Sequence, residues 1–199
     1  ADGHINMPDG EIMTSPVEST LDGQIYFDFP GVLGGRLVHD INLRWKSGKL
    51  VEATSSTNQD FLRAVLDTDP GASLIGEFAI GTNPEIKHFC KDILLDEKID
   101  GTIHIAMGRA YPAVGGTNQS AIHWDIIKDM RQEGEIYMDG ELIYHNGKVL
   151  LYSKILKFHN RKKLLLSFCF AGKILQQALI RDLKLRAVDL DSSLLSKAG

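Results

Sequence analysis

A few polar residues set into apolar runs are the part of this chain best suited to chemistry. In "AIHWDII", residues 121–127, His123 and Asp125 stand two positions apart. Side chains alternate along a strand, so in that conformation the two would share a face. Upstream, Glu11 in "NMPDGEIMT", Glu77 in "LIGEFAIGTNP", Glu97 in "LLDEKIDGT" and His104 in "GTIHIAMGRAY" repeat the pattern. Most lie near a glycine that would let another backbone approach. Ionised carboxylates are rarely buried unless paired or coordinated. We expect no buried Lys or Arg in these runs to match them, which leaves surplus negative charge. Divalent cations would remove it, two better than one.

Each residue also has a plainer reading. A glutamate beside a glycine suits an exposed strand edge, and Glu11, after Pro8-Asp9-Gly10, suits a turn. His104 fits a hydrogen-bonded core histidine, and His-x-Asp alone is a weak pattern. The spacing matches neither the helical His-Glu-x-x-His zinc motif nor a cysteine zinc site. Chemistry alone leaves the metal site and these plainer readings side by side.

The elements that must position these residues are mostly strands. Residues 21–54 alternate as β structure, with "KSGK" as a hairpin turn and Gly48 available for positive φ. "STNQDFLRAVLDTDPGA" opens with polar capping residues; Phe61, Val65 and Leu66 then give helical spacing until Pro70-Gly71. "LIGEFAIG", "DGTIHIAMG" and "QSAIHWDII" read as buried strands. "EGEIYMDGELIYHNGKVLLY" reads as a hairpin series turning at Asp139-Gly140 and Asn146-Gly147. Leucines at helical spacing fill 159–199. The fold class is therefore α+β, a strand-rich domain over 1–158 followed by a helical tail over 159–199.

Composition narrows the function. The 199 residues are 43% hydrophobic and 24% charged, with a formal net charge of −4. That balance offers no basic footprint for nucleic acid. Two cysteines make no disulfide or zinc-finger framework. The opening residues lack a basic region followed by an apolar stretch, so no signal peptide is read. The longest apolar run, 164–180, is interrupted by Lys173, Gln176 and Gln177 and falls short of a membrane span. The expectation is a cytoplasmic protein with no membrane partner.

Taken in order, "HINMPDGEIMTSPVE", "GEFAIGTNPEI", "ILLDEKIDGTIHIAMGRAYPAVGGTNQSAIHWDII" and "GEIYMDGELIYHNGK" resemble the metal domain of the aminopeptidase T family of thermophilic-type metallopeptidases. The resemblance covers about residues 3–150. It implies hydrolysis of the amino-terminal residue from peptides by a centre of two divalent ions (zinc, cobalt or manganese). It also implies Glu11, Glu77, His104, His123 and Asp125 as metal ligands, with Glu77 bridging. Glu97 would be the general base and Tyr111 would hydrogen-bond the oxyanion. The partner implied is a peptide with a free amino terminus, and a homodimer is the expected assembly.

Members of that family are longer. The resemblance therefore implies the carboxyl-terminal metal domain without the amino-terminal α/β domain, and residues 159–199 as an atypical extension. A second reading, from a different class, is a non-catalytic metal-binding or interaction domain derived from such a peptidase. Glu97 and Tyr111 favour the enzyme, because a purely structural site needs neither.

Overall fold

The computed structural model describes residues 2–4 and 6–150; the expected helical tail, 159–199, lies outside the described residues. Six short strands come first: β1 (Glu11–Thr14), β2 (Gly23–Tyr26), β3 (Gly31–Leu33), β4 (Arg36–Val38), β5 (Asn42–Lys46) and β6 (Lys49–Thr54). Helix α1 (Gln59–Leu66) leads to β7 (Ile75–Gly81), and the short helix α2 (Ile93–Asp96) to β8 (Thr102–Gly108). Strands β9 (His123–Asp129), β10 (Glu135–Met138), β11 (Glu141–His145) and β12 (Lys148–Val149) complete the described chain. The architecture is the α+β, strand-rich one expected.

Turn chemistry explains the hairpins. Ser47-Gly48, Asp139-Gly140 and Asn146-Gly147 all have positive φ at both residues, as two-residue turns between twisted strands require. The 31–54 stretch is less regular than its alternation suggested. Asp40 takes φ 54°, so the run breaks between β4 and β5, and β3 and β4 form their own two-stranded sheet. The capping expectation for α1 also needs correcting. Asn58 occupies the N-cap in a left-handed conformation without a side-chain cap bond. Its amide instead donates to Leu37 O at 2.7 Å, tying the helix start to β4.

The central sheet has the order β1-β7-β8-β9, antiparallel throughout. Paired residues share a face, so the register sorts the side chains. Phe78 opposes Ile105, Ile80 opposes Ile103, Ile105 opposes Ile126, and Met107 opposes Trp124. All are buried in one core cluster with Leu43 and Trp45 of β5 and Leu62, Val65 and Leu66 of α1. Phe61 meets the Trp124 ring edge-on at 6.4 Å. Fully burying one such side chain contributes about 1.5–3 kcal/mol, so this face fixes the sheet. Among the described residues no helix is long and apolar enough to cross a membrane.

Candidate metal centre

The opposite face of the same sheet carries the polar residues. Glu11 opposes Gly81, Ala79 opposes His104, and Glu77 opposes Ala106, which in turn opposes Asp125; Gly108 opposes His123. Alanines and glycines at the intervening positions leave room above the sheet. Glu77 follows the alternation of Ala79 and Gly81 onto this face, and β7 is irregular just before it, which turns Ile75 to the core. Ile75 opposes Met107 on the core face, and Glu77, two residues on, opposes Ala106 on the other. Gly76 is the extra residue of a β-bulge, which reverses the parity between them. Only a glycine fits there, since a Cβ would lie 2.3 Å from Arg109 O. Gly10 is a similar case beside Glu11: it has φ 111°, and its missing Cβ would lie 2.4 Å from that of Asn83.

Five proposed ligands and the proposed base converge. Three sets each place one donor atom per residue within 4.8 Å: Glu11 with Glu77 and His104, Glu77 with His123 and Asp125, and Glu97 with His104 and Asp125. His104 Nε2 lies 3.4 Å from Glu11 Oε1 and 3.5 Å from Glu77 Oε1. His123 Nε2 lies 3.4 Å from both Glu77 Oε2 and Asp125 Oδ1. Glu77 thus directs one oxygen at each imidazole. Glu97 follows α2, whose start is capped by Asp92 accepting from Leu94 N. Tyr111 lies on the loop between β8 and β9, its hydroxyl 3.4 Å from His123 Nε2.

Burial is graded across the site. His104 is fully enclosed and Glu77 is 2% exposed, whereas Tyr111 is 41% exposed and the His123 side chain 22%. The centre therefore opens at the His123–Tyr111 end. His123 Nδ1 lies 2.8 Å from Arg109 O. A carbonyl only accepts, so Nδ1 carries a proton, and loss of the other leaves an Nε2 lone pair for a cation held among the acids.

A divalent ion fits this donor set. Glu77 Oε1, His104 Nε2 and Asp125 Oδ1 are sealed from solvent, and none has a hydrogen bond among the described residues. A buried acceptor left in that state costs about 1–3 kcal/mol, more when charged. One cation answers several such atoms at once, and mixed oxygen and imidazole donors without thiolate suit zinc, cobalt or manganese.

The charges of the metal-free chain agree. Burial disfavours an imidazolium at His123, yet Asp125 and Glu77 outweigh it and push the group up to about 10. Burial likewise opposes His104, and Glu11 and Glu77 hold it well above the usual histidine range. Glu11 is driven upward by burial but brought down to about 2, chiefly by His104. Protons on the imidazoles here stand where metal ions would neutralise the acids. Glu97 behaves differently: burial first, then the Asp125 charge, raises it, against the pull of Lys98.

Lys98 is what the sequence reading missed. It is fully buried, and its Nζ donates to Glu97 Oε1 and lies 3.8 Å from Glu11 Oε2. The expectation of no buried cation in these runs was wrong for "LLDEKIDGT". The Asp-Glu-Lys cluster amid apolar residues was the available signal. Four carboxylates against one ammonium still leave a negative surplus when both imidazoles are neutral.

The profile of the thermophilic metalloprotease (M29) family matches residues 2–149. Aminopeptidase T of Thermus thermophilus is 33% identical over 153 residues, which is 68% of this chain and 37% of that protein. Aminopeptidase AmpS of Bacillus subtilis is 28% identical over 165 residues, 71% of this chain and 40% of its own. The chain thus spans about 40% of the length of the curated relatives it matches. The solved structure of wild-type AmpT from Thermus thermophilus superposes with a TM-score of 0.64 at 30% identity, over 72% of this chain and 40% of that one. A 2,5-dihydroxypyridine dioxygenase from Pseudomonas putida, at 19% identity and TM-score 0.55, shares the fold.

Proposed function

The chain belongs to the thermophilic metalloprotease (M29) family, and from that premise we propose that it carries the centre of a two-metal aminopeptidase. Glu11, Glu77, His104, His123 and Asp125 would hold the ions, with Glu77 between them. The observation that carries this reading is the Glu77 carboxylate, which turns Oε1 toward His104 and Oε2 toward His123 among buried acceptors without hydrogen bonds. Zinc, cobalt or manganese held there supplies Lewis-acid polarisation of the scissile carbonyl and acidifies water for attack.

The chain's own residues do the rest. Glu97, its carboxyl raised by burial, takes the proton released during attack and returns it to the leaving amine. Tyr111 stands at the exposed end and donates its O–H to the developing oxyanion. The free amine of the peptide is drawn to the acidic centre, which confines cleavage to the first residue.

Metal content of the purified chain, compared with Glu77→Ala/His123→Ala, is the test. Uptake of zinc, cobalt or manganese by the parent chain, lost in the double variant, together with hydrolysis of leucine p-nitroanilide, is the expected result. Uptake without hydrolysis would favour the non-catalytic metal-binding reading. No uptake of any of the three ions would remove the metal centre.

A further inference from the structure

Among the described residues Lys98 is the only buried lysine or arginine, and it sits inside an otherwise acidic centre. Its backbone is fixed. Its carbonyl accepts from Asn83 N at 2.9 Å, and the 98–99 peptide lies against β7, where a Cβ on Gly81 would meet Ile99 O at 2.2 Å. From there Nζ donates to Leu94 O at 2.7 Å, a carbonyl of α2, and to Glu97 Oε1. Asn6 Nδ2 reaches the same Glu97 oxygen at 3.4 Å. One oxygen of Glu97 is thus engaged twice, by groups anchored outside the ligand set.

Glu97 nevertheless stands within 4.8 Å of His104 and Asp125 donor atoms, close enough to compete as a ligand. A carboxylate so placed either joins the ions or is held off them. Ligation would consume the lone pairs that a base needs. We propose that Lys98 is a positioning residue, whose ammonium pins one oxygen of Glu97 and holds that carboxylate beside the ions, with the second oxygen available for the proton. This rests on the reading of the site as a metal centre with Glu97 as its base. The 3.8 Å approach to Glu11 Oε2 sets the same ammonium beside both the base and a ligand, so its charge bears on the position of each.

The test uses the whole chain loaded with cobalt(II), whose visible d–d bands weaken as coordination number rises. Lys98→Met keeps the unbranched apolar stem and removes the ammonium. Glu97 should then move onto the ions. The bands weaken, cobalt is held at least as tightly against a competing chelator, and kcat on leucine p-nitroanilide falls by about 10–100-fold with KM little changed. An unchanged spectrum overturns the proposal. So does a loss of about 10–100-fold in affinity with the band shape retained, the signature of a brace for the ligands alone. Glu97→Gln, which leaves Lys98 an oxygen to bind, should give the parent spectrum. An altered one would make Glu97 a ligand already and refute the idea, and this comparison decides alone should Lys98→Met fail to fold. A parent chain that takes up no cobalt removes the metal reading itself; one that loads normally while Lys98→Met matches it removes only the role of Lys98.

Discussion

Gly76→Ala is the sharpest probe of how the sheet presents its acids. The new methyl would lie 2.3 Å from Arg109 O and 2.4 Å from Gly108 O. Neither carbonyl is free to retreat: Gly108 O accepts from Asn118 Nδ2 at 2.6 Å, and Arg109 O from His123 Nδ1 at 2.8 Å. Reaching even the 3.0 Å floor of real Cβ contacts requires a shift of 0.7 Å, the difference from 2.3 Å. Overpacking of this kind destabilises by about 1–3 kcal/mol. For a domain of this size that corresponds to a fall in Tm of roughly 2–12 °C. The shift falls on Glu77, the next residue, and on the carbonyl that orients His123, so metal affinity should drop by about 10–100-fold as well. Thermal melts followed by circular dichroism and a chelator competition measure both. A Tm within about 1 °C of the parent, with affinity intact, would refute the reasoning that a tightly enclosed bulge next to Glu77 holds the carbonyl that orients His123.

Trp124→Ala, on the opposite face, should lower stability in urea by about 3–5 kcal/mol while metal stoichiometry stays that of the parent, because the tryptophan is 1% exposed in the core. Tyr111→Phe removes only a half-exposed hydroxyl and should lower kcat by about 10²–10³-fold with metal content and Tm unchanged; a normal kcat would clear the tyrosine of any role. Loading the metal-free chain at pH 8 should release a proton from His123, which the acids push up to about 10 and which must be neutral to ligate. Calorimetric heats that do not vary with buffer ionisation enthalpy would contradict this. In the metal-free chain the raised His123 contributes stability that is complete below its unfolded value of 6.5 and is lost as pH rises through about 10. Urea midpoints of the chelated protein across that window should fall accordingly.

Much of this was legible in the sequence because strand parity is a local property. Ile103, Ile105 and Met107 alternate with His104 and Ala106, and Trp124 and Ile126 with His123 and Asp125, so two faces can be read from the letters alone. Two-residue turns such as Asn146-Gly147 are equally local. What was missed depends on three dimensions. Ile75 and Glu77 have the same parity in sequence, and only the bulge at Gly76 separates them. The Asp-Glu-Lys cluster hinted at Lys98, but that its chain lies against Gly81 and near Glu11 is set by contacts distant in sequence. Asn58 fits an N-cap by type, and a carbonyl in β4 claims its amide instead.

The graded opening of the centre has a bearing on how such a domain could be altered. The buried residues of strands β7, β8 and β9 are committed to packing or to the acids, so a gain or loss of one residue inside a strand would exchange the two roles along its whole length. The segment between β8 and β9, 109–122, is less restricted beyond Arg109, whose carbonyl orients His123. It carries Tyr111 and borders the exposed end of the site, and it is tied down at a few points: Asn118 to Gly71 O, Ser120 and Ala121 to Asp69, and Tyr111 N to Ser15. Lengthening or shortening that rim between its moorings would reshape the mouth while leaving the floor untouched. On the proposed reading, loop length to either side of Tyr111 would set what enters, while Tyr111 itself stays with the chemistry.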